Sequence, residues 1–429
     1  MSQVSFVLYL IFVASWFLHL PARYPILGNA RADLLLVATI LVQSLIVARE
    51  PGPQGDRRTQ KVLWVLVIYI ACSIPFVEWP GSVVKTGFPA FFKAFVFSYF
   101  TATVITTPKR LQYFMFVFVG CQAFRALEPL YLHLTTGYWG SQASMADWES
   151  MDRLAGAPMD VVNANGLAFI VLTVIPFLHY LTQGNVKGRL LYVCLLPLLV
   201  YTLILTASRS GMVGLLGIGL LVWWKSSHKL VLAGVFSLAA IVAVPYLSAD
   251  LTDRYMSLVS GHTKNAVTVQ YRVEGVQSDF TVGMRRPVFG HGLGTSKEAN
   301  SNFGVHDQPS HNLYLETLEE IGGIGLLIFL VFLQTLIGGL RSVGKALRNA
   351  PNSPPLLRGL VAALQVWIGM DILFSFASYG LSSYEWYLTA GLIDVAGRLV
   401  RQVEPARVRS AVQTVPVASP SPRPLASRP

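Results

Sequence analysis

Apolar runs of roughly 17 or more residues recur from one end of this chain to the other, and each is long enough to carry a helix across a bilayer. Lipid offers a peptide group no water, so such runs must satisfy their own backbone as helices. Charged residues make up 13% of the chain and hydrophobic ones 53%, whereas a soluble domain carries about 25% charged residues. The expectation is an all-α, polytopic helical membrane protein with about twelve transmembrane helices. The expected spans are 4–20, 33–49, 62–79, 89–106, 111–132, 164–183, 189–207, 210–226, 229–247, 312–340, 356–377 and 381–399.

The net charge of +11 is not a nucleic-acid signal, because much of it lies in short loops between apolar runs. Arg49, Arg57, Arg58 and Lys61 share one such loop; Lys109 and Arg110, Lys187 and Arg189, Lys225 and Lys229, and Arg341, Lys345 and Arg348 follow in alternate loops. The positive-inside rule puts this set and both termini in the cytoplasm. The loops at about 135–163 and 248–310 then face outward, the longer one containing short helices. No internal repeat is legible, which weighs against an inverted-repeat transporter. Residues 1–403 form the membrane domain, and 404–429, rich in Pro, Ser, Val and Arg, read as a disordered basic cytoplasmic tail. Residues 4–20 read as a retained span and not as a signal peptide. Cys72, Cys121 and Cys194 all fall in apolar runs, so no disulfide framework is expected.

The outward side carries the titratable groups. Ser208-Arg209-Ser210-Gly211 stands between two apolar runs, where Ser208 or Ser210 can cap the following helix. A helix N-terminus beside an arginine suits an anion; the plainer alternative is an arginine that snorkels to the interface. The long loop holds Arg254, Lys264, Arg272, Arg285 and Arg286, and the planar guanidinium fork suits a diphosphate. Val273, Val276 and Phe280 have the spacing of an amphipathic surface helix. Pro287-Val288-Phe289-Gly290-His291-Gly292-Leu293-Gly294 lacks the Lys-Ser/Thr of a phosphate loop and reads as a tight turn re-entering the membrane. His311 is expected in the first turn of a helix capped by Ser310, where the positive helix end keeps it neutral and able to accept a proton. His306, Asp307 and His311 are too loosely spaced for a metal site, so none is expected. Lys93, Arg125, Glu128, Asp371 and Glu385 fall in the outer halves of spans and point to an outward-facing polar chamber.

Thr206-Ala207-Ser208-Arg209-Ser210-Gly211, the glycine-rich stretch at 287–294, Ser310-His311-Asn312-Leu313-Tyr314-Leu315-Glu316 and Ile321-Gly322-Gly323-Ile324-Gly325 together resemble the O-antigen ligase and O-antigen polymerase superfamily. The resemblance implies glycan transfer from undecaprenyl diphosphate at the periplasmic face of the bacterial inner membrane, without metal or cofactor. It also implies two essential arginines and one histidine. Those fall on Arg209, on Arg272 with Arg254 as competitor, and on His311 as the catalytic base; Asn312, Arg125 and Lys93 are expected in support. The favoured activity is an inverting O-antigen ligase with a lipid-linked glycan donor, a lipid A–core acceptor and membrane lipids around it. The alternatives are a polymerase that joins lipid-linked repeat units, for which Arg272 and Gly283 have a suggestive spacing, and a transporter of lipid-linked sugars.

Overall fold

The computed structural model of the protein describes residues 2–46, 57–140, 152–234, 237, 249–256, 266–304, 307–350, 352–378 and 380–413; the side chains of residues 45, 57, 249–250, 266–272 and 403–413 are not among those described. Among the described residues the regular structure is helix, with no strand. Expected spans land on Gln3–Phe17, Ala32–Ile46, Arg57–Ser73, Phe88–Val104, Pro108–Thr136, Ala164–Leu181, Val186–Leu205, Arg209–Lys225, Leu313–Asn349, Pro355–Phe374 and Tyr384–Gln413. The remaining one, 229–247, starts as helix at 229–234 and then passes outside the described residues. Among the described residues, five segments are long and apolar enough to cross a membrane by length and composition alone. They are Arg58–Phe76, Ala164–Leu181, Val186–Leu205, Leu313–Asn349 and Pro355–Phe374. The protein is an all-α, polytopic membrane protein.

Polar caps start several of these helices where the sequence leaves the apolar run. The Asn163 side chain accepts from Gly166 N at 2.9 Å and Asn185 from Gly188 N at 2.6 Å, each satisfying one of the N–H groups a helix start leaves open. The last helix runs through Gln413, past Glu404 where the tail was expected to begin, and 414–429 lie outside the described residues.

The interior is aromatic. Phe118 packs on Phe177 at 5.6 Å and on Trp367 at 6.1 Å between ring centroids. The buried Trp367 indole N–H donates to Thr173 Oγ1 at 3.2 Å, so its one polar atom is satisfied. Outward faces carry the opposite pattern: Phe116 is 78% exposed and Leu230 89%. Such surfaces would drive association in water and are at home against acyl chains.

The longest helix, Leu313–Asn349, is broken at Gly322, whose φ of 67° is left-handed. The glycine-rich stretch docks on that break. His291 N donates to Glu319 O at 2.7 Å, Gly292 N to Glu320 O at 2.9 Å, and Gly323 N to Pro287 O at 2.7 Å. The break is what leaves those carbonyls open to outside donors. A Cβ on Gly322 would stand 2.3 Å from Val288 O, and Gly290 is equally confined by Glu320. The 287–294 stretch is a tight turn, as expected, with N–H groups of His291 and Gly292 committed to the helix rather than to a phosphate.

Candidate functional site at the Thr206–Arg209 corner

The Val186–Leu205 helix ends in a corner that turns the chain straight into Arg209–Lys225. Thr206 Oγ1 donates back to Leu203 O at 2.6 Å, and Ala207 takes a left-handed φ of 48°. Ser208 is the N-cap, its hydroxyl accepting from Gly211 N at 3.1 Å. Arg209 is therefore the first helical residue, at the positive end of the helix, and is 9% exposed.

Two further arginines hold the corner. Arg153 Nε donates to Thr206 O at 2.9 Å, and Arg254 Nε donates to Ala207 O at 2.8 Å. Both side chains are buried. Asn165 Oδ1 accepts from Arg153 Nη2 and from Ser208 Oγ, each at 2.8 Å. Two guanidinium groups thus hold the backbone just ahead of Arg209, in a setting where low dielectric strengthens their field. The adjacent Tyr255 hydroxyl registers both influences: burial pushes it up to about 12, while the charges of Arg254 and Arg153 pull the other way.

His311 is half-buried, its Nε2 3.1 Å from Gln308 Oε1. The helix that follows begins two residues later than expected. Asn312, not Ser310, is the N-cap, its Oδ1 accepting from Tyr314 N at 3.0 Å and Leu315 N at 3.3 Å. Ser310 Oγ instead donates to Asp279 Oδ2 at 2.7 Å. His311 accordingly sits just ahead of the cap and outside the first turn. It lines a cavity of about 310 Å³ together with Asn163, Asn165, Asp371, Ser378, Ser383 and Glu385. Asn165 belongs to both places, so it joins the arginine corner to the histidine cavity.

Other sequence candidates go elsewhere. Arg125 makes a two-pronged contact with Asp160, at 2.6 Å and 2.9 Å, and His19 Nε2 lies 3.1 Å from the same carboxyl. Burial disfavours the charge on Asp160, but hydrogen bonds from His19 and Arg125 outweigh it and hold the carboxyl down at about 2. Glu128 pairs with Arg23 at 2.6 Å and 2.5 Å. Lys93 is exposed on the Phe88–Val104 helix and does not line the cavity. Of the five intramembrane charges expected in one chamber, Asp371 and Glu385 are the ones that line it. Arg272 stands on the Ala266–Gly283 helix, but its side chain lies outside those described. On that helix Val273, Val276 and Phe280 are exposed. Arg285 stacks over Phe303 at 4.8 Å and Arg286 pairs with Glu78 at 3.2 Å. Lys264 and His306 lie outside the described residues, and Asp307 accepts from Ser301 Oγ.

Sequence reading missed Arg153 and Asn165. Both sit in or beside the 135–163 loop, and nothing local distinguishes Arg153 from any other loop cation. Asn165 was masked by Asn163, two residues earlier, which does the capping.

A family model described as O-antigen ligase matches residues 194–330, about a third of the chain. No curated protein matches the chain closely enough to count as a relative. The matched stretch takes in the corner, Arg254, Arg272, the glycine-rich turn, His311 and the break at Gly322; Arg153, Asp371 and Glu385 lie beyond it. Residues 194–330 thus carry the domain of the O-antigen ligase and polymerase superfamily, as the sequence motifs implied. That match supports reading the protein as a membrane enzyme of the glycan-transferring class.

Proposed function

We propose that the protein is an O-antigen ligase, moving a glycan from undecaprenyl diphosphate to lipid A–core at the periplasmic face of the inner membrane. The observation that carries this reading is the linkage through Asn165 of a buried arginine corner to a polar cavity lined by His311. A lipid-linked donor enters sideways from the outer leaflet. Arg209 and Arg254 bind its diphosphate, with Arg272 of the neighbouring helix as the third candidate. His311 takes the proton from an acceptor hydroxyl, the hydroxyl oxygen attacks the anomeric carbon, and the bond to undecaprenyl diphosphate breaks. Attack opposite the leaving group inverts the anomeric centre. Arginines that stabilise the charge building on a diphosphate make a separate general acid unnecessary, and no metal is required for that step.

A deletion strain tests the reading on a gel of lipopolysaccharide and lipid-linked glycan. Bare core with accumulating long lipid-linked polymer is the expected result; core bearing a single repeat unit would make the protein a polymerase instead. With purified enzyme, His311→Ala should lower kcat by about 100-fold or more, and EDTA should leave activity intact. Near-normal turnover by the variant would remove His311 as the base.

A further inference from the structure

Within the cavity that His311 lines, Asp371 is 2% exposed and Glu385 6%. Neither oxygen of the Asp371 carboxyl, nor Oε2 of Glu385, has a hydrogen-bond partner among the described residues. Other carboxylates nearby keep at least one oxygen engaged. Glu316 accepts from Gly380 N at 2.7 Å and Leu381 N at 3.0 Å, and Asp160 and Glu128 are held by arginines. Burying a polar atom without a partner is costly, so three carboxyl oxygens left open in one cavity call for an occupant that donates hydrogen bonds.

We propose that Asp371 and Glu385 are the acceptor-sugar subsite, each accepting hydroxyls of the sugar that receives the glycan. This rests on the transfer reaction proposed above. A carboxyl oxygen accepts from a hydroxyl in either protonation state, and two carboxyls on one wall match a polyol with adjacent hydroxyls. The cavity, at about 310 Å³, has room for a sugar ring rather than a polymer. Phe169, Phe374 and Trp386 add apolar lining for the C–H face of such a ring. The two substrates sort by chemistry: a diphosphate is drawn to the arginine corner, whereas a sugar hydroxyl finds hydrogen-bond acceptors in the carboxyl pair. His311 lines the same cavity, so a hydroxyl seated on Asp371 and Glu385 is presented to the base.

The test uses the full chain in lipid nanodiscs, with core lipopolysaccharide from the deletion strain as probe. Binding is measured without donor, and transfer kinetics with undecaprenyl diphosphate-linked glycan. Asp371→Asn and Glu385→Gln should each raise the core Kd and the acceptor KM about tenfold or more, with donor KM held within about twofold. Core binding and acceptor KM like those of the wild type, or a donor KM that climbs in step, would overturn the subsite. Glu385→Gln stands as the second variant should Asp371→Asn fail to fold. Failure of the transfer reading is separable. A wild-type protein that binds core through these carboxyls yet transfers nothing keeps the subsite and loses the reaction. One that transfers while both variants bind normally keeps the reaction and loses the subsite.

Discussion

Asp160 shows how a single residue ties the outer loop to the helices. Its carboxyl faces Arg125 from one helix and His19 from the end of another. The folded value of about 2 lies below the ordinary carboxyl value of about 3.9. A depressed folded value means that the ionised form is favoured by folding. That stabilisation is complete above about pH 4 and is lost as pH falls through about 2. Thermal unfolding of the wild type should therefore fall across this window, and Asp160→Asn should be less stable near neutrality and show a shallower acid slope. An unchanged slope in the variant would mean that the Arg125 and His19 contacts do not hold this carboxyl. The pairing partners could not be read from the sequence: Arg125 and Asp160 are separated by 35 positions, and the reading placed Arg125 beside the reaction instead.

At the scale of elements, the decisive feature is the break in the Leu313–Asn349 helix. Ile321-Gly322-Gly323-Ile324-Gly325 was legible as a motif, but its reason is tertiary. Gly322 needs a left-handed φ, and the carbonyls it frees receive the 287–294 turn. Gly322→Ala adds backbone strain of about 1–3 kcal/mol to a contact 2.3 Å from Val288 O, so a marked fall in melting temperature is expected. Gly338, further along the same helix, has open space around its Cβ position. Gly338→Ala should be neutral or stabilise by up to about 1 kcal/mol. Equal melting temperatures for the two variants would show that the break does not hold the turn. Cap chemistry shows the same limit. Ser310 and Asn312 are both competent caps in sequence; in the fold Asn312 takes the helix N–H groups of Tyr314 and Leu315, while the Ser310 hydroxyl donates to Asp279 on another helix and, among the described residues, accepts only from Asn312 N.

The whole molecule presents lipid-facing apolar surface around an aromatic interior, and its charged loops alternate. The orientation proposed from those loops has a direct check. In a background without Cys72, Cys121 and Cys194, a membrane-impermeant maleimide should label Ser301→Cys in intact spheroplasts. It should reach Lys345→Cys only after lysis. Both native side chains are exposed, so the reverse pattern would invert the topology and move the proposed site to the cytoplasm. The sequence by itself determined the helical membrane class, most helix positions and the motifs of residues 194–330. Those follow from run length, charge scarcity and short-range pattern, which are local properties of a chain. Only the tertiary structure decided that Arg153 and Arg254 meet at the corner before Arg209, that Asn165 links them to the His311 cavity, and that Asp371 and Glu385 share its wall. Convergence of residues 153, 165, 254, 311, 371 and 385 depends on how distant helices pack, and no local pattern records it.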